Sequence, residues 1–154
     1  VVTETRPYLQ GARLTAWELW VEGFSVKVIP DGVAASFLAR GEVDVVLVGG
    51  DRCAMNGDVA NKVGTLQIAI AAKEYGVPFY VAAVPDPSTS SGEDIPIEYR
   101  DPDEVFYGGW DIKLPKVFDA IYPAFDITPA EYITGVITHK GVFRPQEVYR
   151  FFEQ

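Results

Sequence analysis

Apolar positions fall into short continuous runs that alternate with stretches of helical spacing. Residues 24–29, with Phe24, Val26, Val28 and Ile29, read as a strand. Asp31 then looks like the N-cap of a helix reaching about Ala39, closed by Gly41. Residues 44–48 are nearly continuous in β-branched and aliphatic side chains, the pattern of a parallel strand covered on both faces. The turn pair Asn56-Gly57 precedes a long helical pattern from Asp58 to about Tyr75, with Val63, Leu66, Ile70 and Ala71 on one face and Gly76 at its end. Residues 77–84 resume as strand. Upstream, residues 12–22 carry a helical pattern that includes Leu14, Trp17 and Leu19.

This β-α-β-α-β alternation predicts an α/β domain with a doubly wound, mostly parallel, Rossmann-like sheet and helices on both faces. The second half is less regular. Residues 85–92 form a polar loop and residues 95–99 a short strand. Thr128-Pro129-Ala130-Glu131 has the makings of a helix start, with Thr as cap, Pro next and Glu three residues on. That helix is expected to run to about His139 and stop at Gly141. There is no internal repeat, so residues 1–154 read as one domain. Val1-Val2-Thr3-Glu4-Thr5 lacks an initiator Met and reads as the latter part of an interior strand, the expectation for a chain that continues a longer protein.

Charge narrows the partners. With 13 Lys+Arg against 22 Asp+Glu, the net charge of -9 argues against nucleic acid and anionic membranes, which need a basic surface. A single phosphate held locally remains compatible with it. One cysteine, Cys53, permits no internal disulfide and fits a reducing compartment. One Cys and one His offer no zinc cluster of the usual spacing, and no metal or cofactor is expected. No run approaches the roughly 20 apolar residues of a membrane span, and no signal peptide is visible. The expectation is a soluble, cytoplasmic domain.

In an open parallel sheet, ligands bind beyond the carboxyl ends of the strands. Three segments belong there: residues 6–11, residues 49–52 and residues 56–62. Asp51 follows the most apolar strand beside two glycines, where confinement can tune a carboxylate for proton transfer. On pattern alone the plainer reading is a turn cap or a partner of Arg52, since Asp is common at such turns. Asn61 and Lys62 fall near the predicted start of the longest helix, where free amides and a lysine attract an anion such as phosphate; on spacing alone a solvated first turn fits equally well. No Walker loop or dinucleotide fingerprint is present. His139 suits a helix C-terminus, and Cys53 a small, partly buried thiol rather than a nucleophile.

The residues themselves carry a resemblance. Residues 4–16, Glu-Thr-Arg-Pro-Tyr-Leu-Gln-Gly-Ala-Arg-Leu-Thr-Ala, resemble a signature of methylthioribose-1-phosphate isomerases. So do Gly50-Asp51-Arg52, residues 56–65 and residues 123–131, followed by Ile137-Thr138 and Lys140-Gly141. These segments span nearly the whole chain in the family's order. The resemblance implies an aldose–ketose isomerase of methionine salvage, converting 5-methylthioribose 1-phosphate to 5-methylthioribulose 1-phosphate. It implies Asp51 as acid/base, with Gln10, Asn61 and Lys62 contacting substrate. It also implies a homodimer, and a catalytic cysteine in an N-terminal half that lies outside these residues; Cys53 does not inherit that role. The wider superfamily includes ribose-1,5-bisphosphate isomerases and non-catalytic regulatory subunits of a translation-initiation exchange factor. Tyr8-Leu9-Gln10-Gly11 and Gly57-Asp58-Val59-Ala60 resemble the methylthioribose version. Tyr99 and Tyr122 depart from it, and the loop after Ser90 is shorter.

Overall fold

The computed structural model describes residues 1–107 and 117–153, with the backbone alone at residue 107. In chain order the elements are β1 (Val2–Thr3), a π-helical turn (Gly11–Thr15) running into α1 (Ala16–Val21), β2 (Val28–Ile29), and a 3-10 turn (Asp31–Val33) leading to α2 (Ala34–Ala39). Next come β3 (Val46–Gly49), β4 (Arg52–Cys53), β5 (Val59–Lys62), α3 (Thr65–Glu74) and β6 (Phe79–Ala82). The chain continues through α4 (Asp103–Tyr107), β7 (Phe125–Thr128), β8 (Gly135–Thr138) and β9 (Gly141–Phe143) to a 3-10 run, Pro145–Phe152. The fold is mixed α/β, in two compact units: Val1–Ala34 with Glu98–Ala124, and Ala35–Ile97 with Phe125–Gln154.

In the first unit β1 and β2 pair in parallel, Val2 opposite Val28. The strand expected over residues 24–29 is confined to its last two residues. β1 offers no longer partner, because Thr5 turns into the left-handed region at φ 63 and ends it. Phe24 is left exposed. The expected strand over residues 95–99 is reduced to one bridge, Tyr99 with Pro123, since Pro96 and Pro123 have no N–H for a ladder.

The second unit holds a four-stranded sheet in the order β3-β6-β8-β9 and a three-stranded sheet in the order β4-β5-β7. β3, β6 and β8 are parallel, β9 is antiparallel, and β4-β5-β7 is antiparallel throughout. On one side of the larger sheet Phe79, Val81 and Val136 pack with Ala69 and Ala72 of α3 and with Val148 and Phe151 of the terminal 3-10 run. On the other side Leu47 and Val142 are 63% and 61% exposed. The β3 run is therefore not covered on both faces as its composition predicts.

Two predicted helices give way to strands. The helix expected from Asp58 begins only at Thr65, because residues 59–62 satisfy their backbone in the ladder with β4 and β7. Gly64, at φ +104, then forces a break that no continuous helix tolerates. The Asn56-Gly57 pair is a hairpin signal, and it joins two antiparallel strands here. The helix expected over residues 128–139 is a single 3-10 turn, Ala130–Tyr132, followed by β8. Thr128 makes no capping bond; its Oγ1 is buried with no hydrogen-bond partner among the described residues. The β-branched run at Val136-Ile137-Thr138 wins by pairing with β6 and β9. His139 thus lies in the β8–β9 connection, its ring edge-on to Phe151 at 5.2 Å, and not at a helix end.

Candidate active site

In the first unit the segment after β1 is strapped down by Asp31. Its carboxylate accepts the amides of Thr5 at 2.8 Å and Arg6 at 2.6 Å, so it ties this turn and does not cap its own helix as the sequence predicts. Arg6 Nη2 donates to the Val105 carbonyl at 3.0 Å. Thr5 and Leu9 both have positive φ, 63° and 62°, at a cost of about 1 kcal/mol or more each. Held in this turn, Gln10 is half-buried, and its Oε1 is a buried acceptor with no partner among the described residues.

The second unit carries the other three predicted residues. At the carboxyl end of β3, Gly50 donates to the Ala82 carbonyl and Asp51 to the Ala60 carbonyl, at 3.0 and 2.8 Å. The chain there crosses from the parallel sheet to the antiparallel one. A Cβ on Gly50 would come within 2.8–3.0 Å of Ala83, Val81 and Val59, so only glycine passes. Asp51 is thereby stitched to β5 beside Asn61. Its side chain is exposed, not confined as expected, and it does not pair with Arg52. Arg52 lies 3.8 Å from Asp86, whose carboxyl is pushed down to about 2 by bonds from Ser88 and Thr89, with a smaller contribution from Arg52.

Asn61 and Lys62 sit on β5, not on the first turn of α3. Successive strand residues project to opposite faces, and across β7 Asn61 meets Asp126 while Lys62 meets Phe125. Asn61 Nδ2 donates to Thr65 Oγ1 at 2.9 Å, and that hydroxyl donates to the Lys62 carbonyl at 2.7 Å. Lys62 Nζ stands 4.3 Å from the centre of the Phe125 ring. The anion seat predicted from free amides at the helix start is engaged by a side chain. Asp126 accepts the amides of Gly64 at 2.7 Å and Leu66 at 3.2 Å. Burial raises the Asp126 carboxyl above its ordinary range, against those two bonds.

Sequence reasoning missed Asp58. One carboxylate oxygen accepts the Ala130 amide at 2.9 Å; the other accepts from Gly92 and from Asn56 Nδ2, at 3.1 and 2.7 Å. Its signal was the Asn56-Gly57-Asp58 turn itself, in which Asn56 Oδ1 accepts the Asp58 amide. Cys53 is fully buried and its thiol is pushed up to about 11, chiefly by burial, which makes it an inert core residue. Among the described residues no three His, Cys, Asp or Glu side chains form a metal-binding group, and no helix is long and apolar enough to cross a membrane.

A family profile described as the initiation factor 2 subunit family matches residues 1–145. The chain belongs to the initiation factor 2 subunit family. It is 54% identical over 150 residues to methylthioribose-1-phosphate isomerase of Aquifex aeolicus, covering 96% of this chain and 33% of that protein. It is 55% identical over 145 residues to 5-deoxyribose 1-phosphate isomerase of Moorella thermoacetica, covering 92% and 41%. Its fold matches the crystal structure of 5-methylthioribose 1-phosphate isomerase from Pyrococcus horikoshii OT3 with a TM-score of 0.92 at 44% identity, over 99% of this chain and 43% of that one. It also matches translation initiation factor eIF-2B subunit delta from A. fulgidus with a TM-score of 0.90 at 38% identity, over 99% and 46%. The chain spans less than half the length of each of these proteins. Within the initiation factor 2 subunit family one backbone thus appears in proteins named as enzymes and in one named as an initiation-factor subunit, so residues and not fold must separate the two.

Proposed function

We propose that the protein to which this chain belongs is an aldose–ketose isomerase converting 5-methylthioribose 1-phosphate to 5-methylthioribulose 1-phosphate, in methionine salvage. The observation that carries this reading is the meeting of Asp51 with the strand bearing Asn61 and Lys62, through the Asp51 amide on the Ala60 carbonyl. The identity to proteins named as isomerases supports it.

The chemistry sets what these residues do. The substrate is a furanose whose anomeric carbon carries phosphate, so it has no free aldehyde, and the bond between carbon 1 and the ring oxygen must break with the phosphate kept in place. A proton goes to the ring oxygen, a hydrogen moves from carbon 2 to carbon 1, and the carbon 2 hydroxyl loses its proton to leave the ketone. Asp51 supplies the acid/base function. Lys62 gives the anionic phosphate a cation, and Gln10 and Asn61 give the sugar phosphate hydrogen-bonding partners. The reading takes this chain as a C-terminal, Rossmann-like half, completed by an N-terminal half of the same protein that brings the catalytic cysteine, and working as a cytoplasmic homodimer. Coverage of less than half of each relative supports a longer protein around this chain.

The test is turnover by the complete protein with 5-methylthioribose 1-phosphate, 5-deoxyribose 1-phosphate and ribose 1,5-bisphosphate offered in parallel. The first substrate is expected to be preferred. Preference for the second would follow the Moorella relative. Preference for the third would keep the chemistry and change the pocket. Turnover of none would favour the regulatory-subunit reading, for which the A. fulgidus match speaks. Asp51→Asn should lower kcat about 10³-fold, within the range of a lost general acid/base, and leave the melting temperature unchanged because the side chain is exposed.

A further inference from the structure

β7 touches both predicted substrate contacts on β5, and it does so from two adjacent residues. Phe125 stands opposite Lys62 in the ladder, and its ring lies 4.3 Å from the Lys62 ammonium. Asp126 stands opposite Asn61 on the other face of the strand. Its two carboxylate oxygens take the amides of Gly64 and Leu66, so they hold both ends of the peptide that carries Thr65. The Thr65 hydroxyl in turn receives the Asn61 amide and donates to the Lys62 carbonyl. The Asn61–Thr65–Lys62 links therefore meet at a residue whose two neighbouring amides Asp126 holds. Gly64, at φ +104, is free to swing in the absence of such an anchor.

We propose that Phe125 and Asp126 are positioning residues for substrate binding, which hold the Lys62 ammonium and the Gly64–Thr65 turn that Asn61 is bonded to, from opposite faces of β7. The proposal rests on the isomerase reading above, in which Asn61 and Lys62 contact the sugar phosphate. Stability alone is a poor account of the carboxylate. Burial raises its pKa, so its ionised form costs folding energy even with two amides bound. An aromatic ring is likewise not needed to fill a half-buried position, but only an aromatic face attracts an ammonium.

The experiment compares KM and kcat of the complete wild-type protein with those of Asp126→Asn, Phe125→Leu and Phe125→Trp, using 5-methylthioribose 1-phosphate, alongside melting temperatures. Asp126→Asn keeps one acceptor and puts a donor against the other amide. It is expected to raise KM about tenfold while kcat stays within about twofold of wild type, a split that a purely structural anchor would not give. Phe125→Leu is expected to raise KM about threefold or more, and Phe125→Trp, which keeps a π-face, to restore it. Wild-type turnover with unchanged KM in both Asp126→Asn and Phe125→Leu would overturn the positioning role and leave the isomerase reading standing. Should Asp126→Asn fail to fold, equal KM values for Phe125→Leu and Phe125→Trp would overturn it. Absence of wild-type turnover would overturn both readings together.

Discussion

Gly11 has no room for a side chain: a Cβ there would stand 1.9 Å from the Thr3 carbonyl oxygen. It is the residue at which the strapped turn folds back onto β1 and hands over to the helical segment. Gly11→Ala should therefore cost about 3 kcal/mol or more, beyond the usual range of overpacking because the obstacle is backbone. Urea unfolding measures it, and a midpoint equal to wild type would show that the turn can open at no cost. The glycine was visible in the sequence, but its obstacle was not, since Thr3 is eight residues away in a conformation set by Asp31. Asp51 shows the same division. Its position after an apolar strand was legible, whereas its exposure depends on what packs around it. Cys53 was read as a small, partly buried thiol, and the structure buries it completely.

Among the elements, the loop after β6 has the clearest pH signature. Asp86 accepts from the Ser88 amide and hydroxyl and from the Thr89 hydroxyl, bonds that exist only in the folded loop. Its carboxyl falls from the ordinary 3.8 to about 2. Between those values the unfolded chain binds more protons than the folded one, so this contribution is present above pH 3.8 and is lost as pH falls through 2. Asp126 has the opposite sign: burial raises its carboxyl, so stability declines as pH rises from 3.8 through its folded value. The gap in melting temperature between wild type and Asp86→Asn should close as pH drops from about 5 to 2. A gap that stays constant would mean that these bonds do not depend on the charge. Helix α3 shows how far pattern reading reaches. The helix is there from Thr65 onward, but its buried residues are Thr65, Ala69 and Ala72 while Ile70 of the predicted face is exposed, and the predicted span also took in Val59-Ala60, which the β4 and β7 ladders claim.

For the molecule, the two units bear different parts of the predicted site. Gln10 belongs to the first, and Asp51, Asn61 and Lys62 to the second. On the proposed reading the cysteine comes from a segment outside these residues. Purified residues 1–154 should then show no isomerase turnover in an assay that detects the complete protein. Turnover by the isolated chain would mean that these residues hold a whole active site. The resemblance read from residues 4–16, 50–52 and 56–65 reached the family independently of any coordinate, because those segments are dense in unusual residues whose order is hard to match by chance.

Local chemistry made several features readable from composition and spacing. Gly41, Gly57 and Gly76 end or turn their segments at positive φ, as glycine alone does readily. The runs that became β3 and β6 are rich in β-branched and aromatic side chains that favour strand, and α1 falls within its predicted span. Whether residues 59–62 and 135–138 were helix or strand was settled only by tertiary pairing. A strand satisfies its backbone through a neighbour distant in sequence, and no local pattern records that neighbour. The same dependence put Asn61 and Lys62 on opposite faces and drew the Asp126 carboxylate, 60 and 62 residues from its two amides, onto the start of α3. Carboxylates such as Asp31, Asp58 and Asp126 look alike in a sequence; each takes its role from the amides that long-range folding brings to it.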